Sequence, residues 1–366
     1  MNFNIKRNDL LPSLQCVSGN IERRQTLPIL SNLLFSITPK ALSITATDME
    51  VELVVDVEVK LDQTTRLTLP AKKLLDICRS LPENATLEFN VGDEKANIKS
   101  GKSRFTLATL PAQEFPLIDI TEETIDFSLS HEKLTALLAN TQFAMAQQDV
   151  RYYLNGLMLE VSSKSIKAVA TDGHRLAFDE VDLETSANDN RQIIVPRKGV
   201  TELMRLLQTS KNEANIRISK NHIQATSGNL SFTSKLIDGK FPDYQRVIPE
   251  PSETIVIANR EELKNSLARA SILSNEKYRG VKIVFGKNVL RILAHNPEKE
   301  EAEEEVSVTY EGGEMEMGFN VSYLIDALTA INTEKVKLSV LNPNSSCLIV
   351  PEKKSQCQYV VMPMKL

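Results

Sequence analysis

The sequence has 366 residues, of which 42% are hydrophobic and 25% are charged, and these proportions are typical of a globular protein of two or three domains. It contains no apolar run near the ~18 residues of a membrane-spanning helix, and residues 1–9 lack the apolar core of a secretion signal, so we expect a cytoplasmic protein with no membrane segment. The net charge of −5 excludes a uniformly basic nucleic-acid-binding protein but is compatible with one basic face.

The four cysteines, Cys16, Cys78, Cys347 and Cys357, form no C-x-x-C pair. This spacing favours free and mostly buried thiols over a structural zinc site.

The chain contains one pattern three times. Three sets of equivalent positions recur at intervals of 124 to 126 residues: Asn32, Gly156 and Gly280; Ala46, Ala170 and Ala294; and Pro70, Pro196 and Asn320. This interval is the length of a domain, whereas solenoid repeats are about 20–50 residues long. The sequence therefore predicts three copies of one domain, at 1–120, 121–249 and 250–366.

Each copy has the same predicted order of elements, which begins with a short strand and a helix. Apolar residues at helical spacing predict the first helix of each copy at 7–17, 131–142 and 260–273, and the second at 72–79, 197–208 and 321–331. The remaining segments, such as 103–109 and 229–235, alternate between apolar and polar residues and are predicted strands. Many strands at short spacing with two helices per copy indicate an α+β fold with mostly antiparallel sheets. Turn-forming and acidic residues predict linkers at 117–123 and 249–253.

A catalytic site is weakly supported. Asp172 and His174 could form a metal pair or an acid–base pair, and a hydrolase built on them is one alternative. The equivalent positions in the other copies are Asp48 and Asn296, which favours a turn that the Asp or Asn side chain caps and in which Gly173 permits a positive φ. The sequence has no H-E-x-x-H, G-x-S-x-G, P-loop or G-x-G-x-x-G motif, and the acidic run at 300–305 is interpreted as a solvated face.

Basic residues indicate contact with phosphates. Lys72-Lys73 and Arg197-Lys198 lie at equivalent helix starts, where positive charge opposes the helix dipole. An unfavourable positive charge that occurs at two equivalent helix starts indicates a function, such as contact with phosphates. The segment 147–153 adds amide, guanidinium and aromatic groups that suit nucleic-acid backbone contact.

Several long motifs resemble the bacterial sliding clamps, the β subunits of the replicative DNA polymerase holoenzyme. They are Q-Q-D-V-R-Y-Y-L-N-G at 147–156, A-T-D-G-H-R-L-A at 170–177, V-P-R-K-G-V-T-E-L-M-R at 195–205 and Y-V-V-M-P-M-K-L at 359–366. The resemblance covers the whole chain. It implies three DNA-clamp domains per chain and a head-to-tail homodimer whose ring encircles double-stranded DNA without regard to sequence. It also implies a non-catalytic processivity factor with no metal and no cofactor.

The resemblance also implies partners that bind through short peptides. These are the DNA polymerase III α subunit, the clamp loader, other DNA polymerases, mismatch-repair proteins and ligase. The peptide cleft carried over from the family comprises Leu154, Thr171, Gly173, His174, Arg175, Leu176, Pro242, Arg246, Val247, Tyr278, Asn320, Tyr323, Ser346, Val360, Val361, Met362, Pro363, Met364 and Leu366. Asn344 and Tyr278 depart from the family pattern, which has an apolar residue and Phe there.

Two further surfaces follow from the resemblance. The DNA-facing residues are Arg24, Gln148, Arg151, Tyr152, Tyr153, Arg197, Lys198 and Arg205. The dimer contact places Ile272 and Leu273 of one subunit against Lys73, Phe105 and Leu107 of the other.

A third alternative, besides the clamp and the hydrolase, is a peptide-binding adaptor that never encircles DNA.

Overall fold

A computed structural model describes residues 2–19, 27–59, 64–92, 94–120, 124–183, 190–209, 213–250, 254–353 and 355–365. Arg24 and Leu366 lie outside the described residues. Within them the α-helices are α1 Arg7–Ser18, α2 Ala71–Ser80, α3 His131–Ala139, α4 Arg197–Thr209, α5 Arg260–Ser271 and α6 Val321–Ala330. None of these helices is both long and apolar enough to cross a bilayer.

The strands are short and distributed along the whole chain. They are β1 Asn2–Lys6, β2 Asn32–Ile37, β3 Ala41–Thr47, β4 Val51–Glu58, β5 Thr65–Pro70, β6 Thr86–Val91, β7 Lys95–Ser100, β8 Ser103–Ala108, β9 Ile125–Leu129, β10 Gly156–Val161, β11 Ser165–Thr171, β12 Arg175–Asp182, β13 Arg191–Pro196, β14 Ala214–Ile218, β15 His222–Ser227, β16 Leu230–Lys235, β17 Ile255–Asn259, β18 Gly280–Gly286, β19 Val289–His295, β20 Glu301–Thr309, β21 Met315–Asn320, β22 Lys335–Ser339, β23 Cys347–Pro351 and β24 Gln358–Val361.

The chain divides into two compact units, Met1–His131 with Lys198–Leu236, and Glu132–Arg197 with Ile237–Leu366. The middle repeat contributes strands to both units.

The first unit contains two antiparallel sheets, one in the order β1-β6-β7-β8 and one in the order β5-β2-β3-β4-β16-β15-β14-β9. Its helices α1 and α2 pack against each other, and α1 also packs on β3 and β4. In α2 the residues Ala71, Leu74, Leu75 and Cys78 are buried, so the i, i+3, i+4, i+7 pattern of the sequence becomes the buried face of the helix.

The second unit contains one antiparallel sheet in the order β13-β10-β11-β12-β24-β23-β22-β17-β20-β19-β18-β21. Helices α5 and α6 pack against each other, and α5 covers β19 and β20. The Asn259 side chain accepts a hydrogen bond of 3.0 Å from the Glu262 amide, and Asn320 accepts one of 2.9 Å from the Ser322 amide. These caps satisfy amide groups that the first turn of each helix leaves unpaired.

The threefold repeat is visible in the strand register. Asn32 lies opposite Pro70, Gly156 opposite Pro196 and Gly280 opposite Asn320. A Cβ atom on Gly156 would lie 2.6 Å from the Val195 carbonyl oxygen, so this close strand approach requires glycine. The predicted α+β fold with antiparallel sheets is confirmed.

One helix is shorter than predicted. The helix expected at 131–142 ends at Ala139, and the Asn140 side chain instead donates a hydrogen bond of 2.8 Å to the Asp179 carboxylate. The Thr141 hydroxyl donates to the Leu137 carbonyl oxygen at 2.7 Å. Such side-chain hydrogen bonds compete with continuation of a helix.

Candidate functional site

The predicted cleft has a buried apolar floor in the second unit. Leu176 of β12 lies opposite Val360 of β24, and Val360 lies opposite Leu348 of β23. Leu154, Leu176 and Val360 are buried in one hydrophobic cluster with Phe241, and Val361 is also buried. These buried residues pack together and form the floor of the predicted cleft, beneath its solvent-exposed side chains.

The turn at Asp172–Arg175 is capped by an aspartate, as predicted. The Asp172 carboxylate accepts hydrogen bonds from the amides of His174 and Arg175 at 2.9 and 3.0 Å, and the Thr171 hydroxyl donates to the Arg175 carbonyl oxygen at 2.6 Å. Gly173 has φ +88°, a conformation that glycine adopts without strain.

The first repeat has the same turn. Asp48 accepts from the Glu50 and Val51 amides at 2.9 and 2.8 Å, and Met49 has φ +75°. The carboxylates at these positions hold turns. No group of three or more His, Cys, Asp or Glu side chains in the described part of the chain is placed to hold a metal ion, so the hydrolase alternative gains no support from the geometry.

Arg175 connects this turn to α6. Its guanidinium donates at 3.1 Å to Asp172 and at 2.8 Å to the Phe143 carbonyl oxygen, and it also pairs with Asp326. Its guanidinium carbon lies 4.5 Å from the centre of the Tyr323 ring. Since the guanidinium uses its planar fork on several partners at once, Arg175 fixes the wall of the cleft.

Exposed side chains lie around the buried floor. His174 stacks on Tyr323 with ring centres 6.5 Å apart, and Tyr278 and Met362 are largely exposed. The Met362 amide donates to the His174 carbonyl oxygen at 2.9 Å, which holds the C-terminal segment beside the turn. Val247 is 41% exposed, and the result is an apolar rim over an apolar floor.

The other predicted cleft residues lie in the same unit. The Met364 amide donates to the Gly318 carbonyl oxygen at 2.8 Å, and Asn320 both caps α6 and donates to the Tyr278 carbonyl oxygen at 3.4 Å. Thr171, Ser346 and Pro363 are half-buried. Pro242, Arg246 and Asn344, the last of which differs from the family pattern, are exposed.

The predicted nucleic-acid loop is ordered by an ion pair. The Arg151 guanidinium donates to the Asp149 carboxylate at 3.0 and 2.9 Å and to the Asp172 carbonyl oxygen at 3.2 Å. The hydrogen bonds from Arg151 lower the pKa of Asp149 from 3.8 to about 2. Gln148 has φ +54°, and Val150, at the tip of the loop, is 96% exposed.

Tyrosines and a second arginine complete this loop. Tyr152 is exposed and Tyr153 is half-buried, with ring centres 5.8 Å apart. Arg197 donates to the Met145 carbonyl oxygen at 3.0 Å. Arg197, which is predicted to face DNA, therefore also anchors the backbone just before this loop.

Predicted DNA-facing residues in the first unit have acidic neighbours. Lys198 pairs with Asp48, and Arg205 pairs with Glu202 at 2.8 Å. Each of these cations is partly neutralised, so the basic face is weaker than the sequence alone indicates.

The predicted dimer residues differ in exposure. Ile272 is 75% exposed and Leu273 is half-buried. In the first unit Lys73 is exposed, Phe105 is half-buried and Leu107 is buried. An exposed isoleucine at a helix end is an apolar surface with no partner inside the described chain.

Every sheet has open edges among the described residues, and two of these edges, on β20 and on β8, carry charged side chains. The acidic run at 300–305 is the start of strand β20. Glu301–Glu305 pairs with β19 on one side, whereas β17 pairs only with Val308 and Thr309. Strand β8 pairs only with β7 and forms the edge of its sheet.

Comparison with known proteins gives a consistent family. Three family models match the chain: the DNA polymerase III beta subunit N-terminal domain at residues 1–119, the central domain at 128–243 and the C-terminal domain at 245–365. The beta sliding clamp of Pseudomonas aeruginosa is 49% identical and that of Escherichia coli K12 is 46% identical, each over 100% of both chains.

Solved structures agree with this. A crystal structure of the DNA polymerase sliding clamp from Pseudomonas aeruginosa with ligand has a TM-score of 0.97 at 49% identity, and a sliding clamp of that organism bound to griselimycin has a TM-score of 0.95 at 49% identity. The Caulobacter crescentus pol III beta structure has a TM-score of 0.95 at 34% identity. All three cover 100% of this chain and of their own.

Proposed function

This chain belongs to the DNA polymerase III beta subunit family, the bacterial sliding clamps, and we propose that two copies close head to tail into a ring around duplex DNA. The ring tethers the polymerase to its template, and the chain is a cytoplasmic, non-catalytic subunit. The three clamp domains are assigned to 1–120, 121–249 and 250–366.

The open edges of β20 and β8 support a head-to-tail contact. The β20 edge carries Glu301 and Glu303, which are exposed, and β8 carries Arg104 with Lys102 beside it. Strand edges with free backbone groups pair readily with another chain, and opposite charges select the partner. Different surfaces meet at such a contact, so it is heterologous, and two identical contacts close a ring of two copies.

The single observation that carries the tethering role is the apolar cleft. Val247, Tyr278 and Met362 are exposed apolar side chains around a buried floor. Such a patch marks a binding surface, and the flexible Met side chain adapts to different ligands. We assign to it short peptides of the polymerase III α subunit, the clamp loader, other polymerases, mismatch-repair proteins and ligase.

The DNA contact is electrostatic and weak. Arg151 and Tyr152 present a guanidinium and a ring to the backbone, and Lys198 and Arg205 keep acidic partners. Contacts of this kind depend on salt and carry no base sequence. Weak contacts suit sliding, because the closed ring itself keeps the protein on the DNA.

The experiment is retention on DNA after loading by a clamp loader. The protein is loaded on a nicked circle, transferred to high salt, and measured before and after one linearising cut. Retention on the circle with release from the line is the expected result, because salt removes electrostatic binding and leaves only the topological link.

The adaptor alternative makes the opposite prediction. Equal release from circle and line, with a related clamp loading normally in parallel, would refute encirclement and leave a peptide-binding adaptor. The double variant Ile272→Ala/Leu273→Ala serves as a negative control, because an open ring is not retained on either DNA.

A further inference from the structure

The second unit contains another pocket, next to the cleft, of about 630 Å³. Its apolar lining includes Phe178, Tyr244, Ile248, Leu348 and Val350. None of these residues belongs to the predicted cleft, and a pocket of this volume is large enough for one or two large side chains.

The pocket lies on the same sheet face as the cleft floor. Leu176 and Phe178 are two residues apart on β12, so their side chains project to one face. Their partners on β24 are Val360 and Gln358, of which Val360 belongs to the cleft and Gln358 lines the pocket. Two residues of strand span about 7 Å, so the two surfaces are adjacent rows of one face.

The segment 242–250 is a wall between the two surfaces. Pro242, Arg246 and Val247 belong to the predicted cleft, whereas Tyr244 and Ile248 line the pocket. The Tyr244 ring stacks on Phe178 with centres 5.9 Å apart. A peptide that crosses this wall passes directly from the cleft into the pocket.

The wall contains one unsatisfied polar group. The Tyr244 hydroxyl is buried and makes no hydrogen bond of acceptable geometry in the described part of the chain, although the Gln245 side chain lies near it. Burial raises the pKa of Tyr244, so the hydroxyl is a neutral donor. A buried polar group without a partner is costly, and a peptide carbonyl group would satisfy it once the wall adjusts to a ligand.

Of the two lysines that line the pocket, Lys167 has an ion-pair partner and Lys337 has none among the described residues. Lys167 binds Glu160 at 3.1 Å and lies opposite Glu180 across β11 and β12. Lys337 is half-buried beside Val350, its cross-strand partner, and no ion pair involves it among the described residues. The carboxylates of Glu180 and Glu250 also line the pocket. Lys337 is the lining cation without an ion pair among the described residues, so it is the position at which a further carboxylate can bind.

We propose that this pocket binds the segment of the partner peptide that continues beyond the cleft, with one large apolar side chain seated on Phe178 and Val350 and one carboxylate paired with Lys337. The inference rests on the proposed function, because the cleft must hold the preceding part of the same peptide. An extended chain spans about 3.3–3.6 Å per residue, so two to four added residues reach the pocket from the cleft floor. The pocket thereby ranks partners by residues outside the short motif.

The test uses defined probes on the full chain. The first probe is a pentapeptide selected from a random library and retained only if Val247→Glu abolishes its binding. Two longer probes add Gly-Trp-Gly-Asp to its C terminus or to its N terminus, and a control adds Gly-Ser-Gly-Asn at the same ends. Calorimetry should show about tenfold tighter binding for one of the two Trp probes, since burial of a large apolar side chain contributes about this factor.

A matched pair of variants separates the two surfaces. Val247 and Ile255 are 41% and 39% exposed, so glutamate at either position is tolerated by the fold, and Ile255 lines the pocket. Ile255→Glu should remove the gain from the Trp extension and leave pentapeptide binding unchanged, whereas Val247→Glu should weaken every probe. Lys337→Gln should make the Asp extension no better than the same extension ending in Asn.

The possible failures are distinguishable. A library that yields no Val247-dependent peptide would refute the proposed cleft, and the inference with it. Normal pentapeptide binding with no gain from either extension would refute the inference alone. Tighter binding of the Trp-extended probe that persists in Ile255→Glu would place the extension outside this pocket and would also refute the inference.

Discussion

The double substitution Ile272→Ala/Leu273→Ala tests ring closure most directly. Ile272 is 75% exposed in the single chain, so most of its side chain is available to a partner subunit. Burial of an isoleucine or leucine contributes about 1.5–3 kcal/mol, which gives about 2 kcal/mol for Ile272 and about 1 kcal/mol for the half-buried Leu273 at one interface. A ring of two subunits has two interfaces, so the loss is about 6 kcal/mol, or about 10⁴-fold in the dimer dissociation constant.

Sedimentation velocity over a dilution series measures this loss. The variant should be a soluble monomer at concentrations where the original chain is a dimer. Its circular dichroism spectrum should be unchanged, because an exposed side chain contributes little to the core of its own subunit. Leu341→Ala is the matched control, since Leu341 is 71% exposed in the same unit and is not assigned to the interface. A dimer midpoint shifted by less than tenfold in the double variant would refute the assignment.

Three further predictions concern single side chains. Arg175→Lys should lower the unfolding free energy by about 2 kcal/mol, because lysine offers one nitrogen to several partly buried acceptors. Arg246→Ala, whose side chain is 86% exposed, should cost less than about 0.5 kcal/mol. Urea unfolding of both variants checks this, and equal losses would contradict it. Asp149 has its pKa lowered to about 2, so its carboxylate stabilises the folded loop above its ordinary pKa near 3.8 and loses that effect as the pH falls through about 2. Carboxyl carbon NMR should show this midpoint and its return towards 3.8 in Arg151→Ala; an unchanged midpoint would exclude the ion pair as its cause. Cys347 has its pKa raised to about 12 by burial, so at pH 8 it should react with a thiol reagent only after unfolding, and rapid labelling of the native chain would count against the buried thiol.

The sequence was sufficient for elements that depend on local pattern. The helix starts at Arg7, Arg197 and Arg260 and the fold class follow from periodicity, because the spacing of apolar residues selects helix or strand within a few turns. The capped turn at Asp172 was also predictable, because its hydrogen bonds reach only residues two and three positions along the chain.

The free cysteines were predictable from the sequence as well. Cys16, Cys78, Cys347 and Cys357 are all free and none is exposed. This outcome follows from their number and spacing. The motif resemblance supplied the family, which the comparisons establish.

Other features depend on residues that lie far apart in the sequence. Arg175 pairs with Asp326, 151 residues later, and no local pattern relates the two. The acidic run at 300–305 was interpreted as a solvated face, and Glu301, Glu303 and Glu305 are exposed. The run also forms an open strand edge, because pairing of β20 with β19 and β17 decides which backbone groups remain free.

The sequence by itself determined the three repeated domains, their helices and strands, and the chemical types present in the cleft. Only the tertiary structure decided that Leu176 and Val360 are floor while Val247 and Met362 are rim, and that a second pocket adjoins them. The physical reason is that periodicity fixes which face of a strand is apolar, whereas exposure depends on which distant strand, here β24, packs beside it.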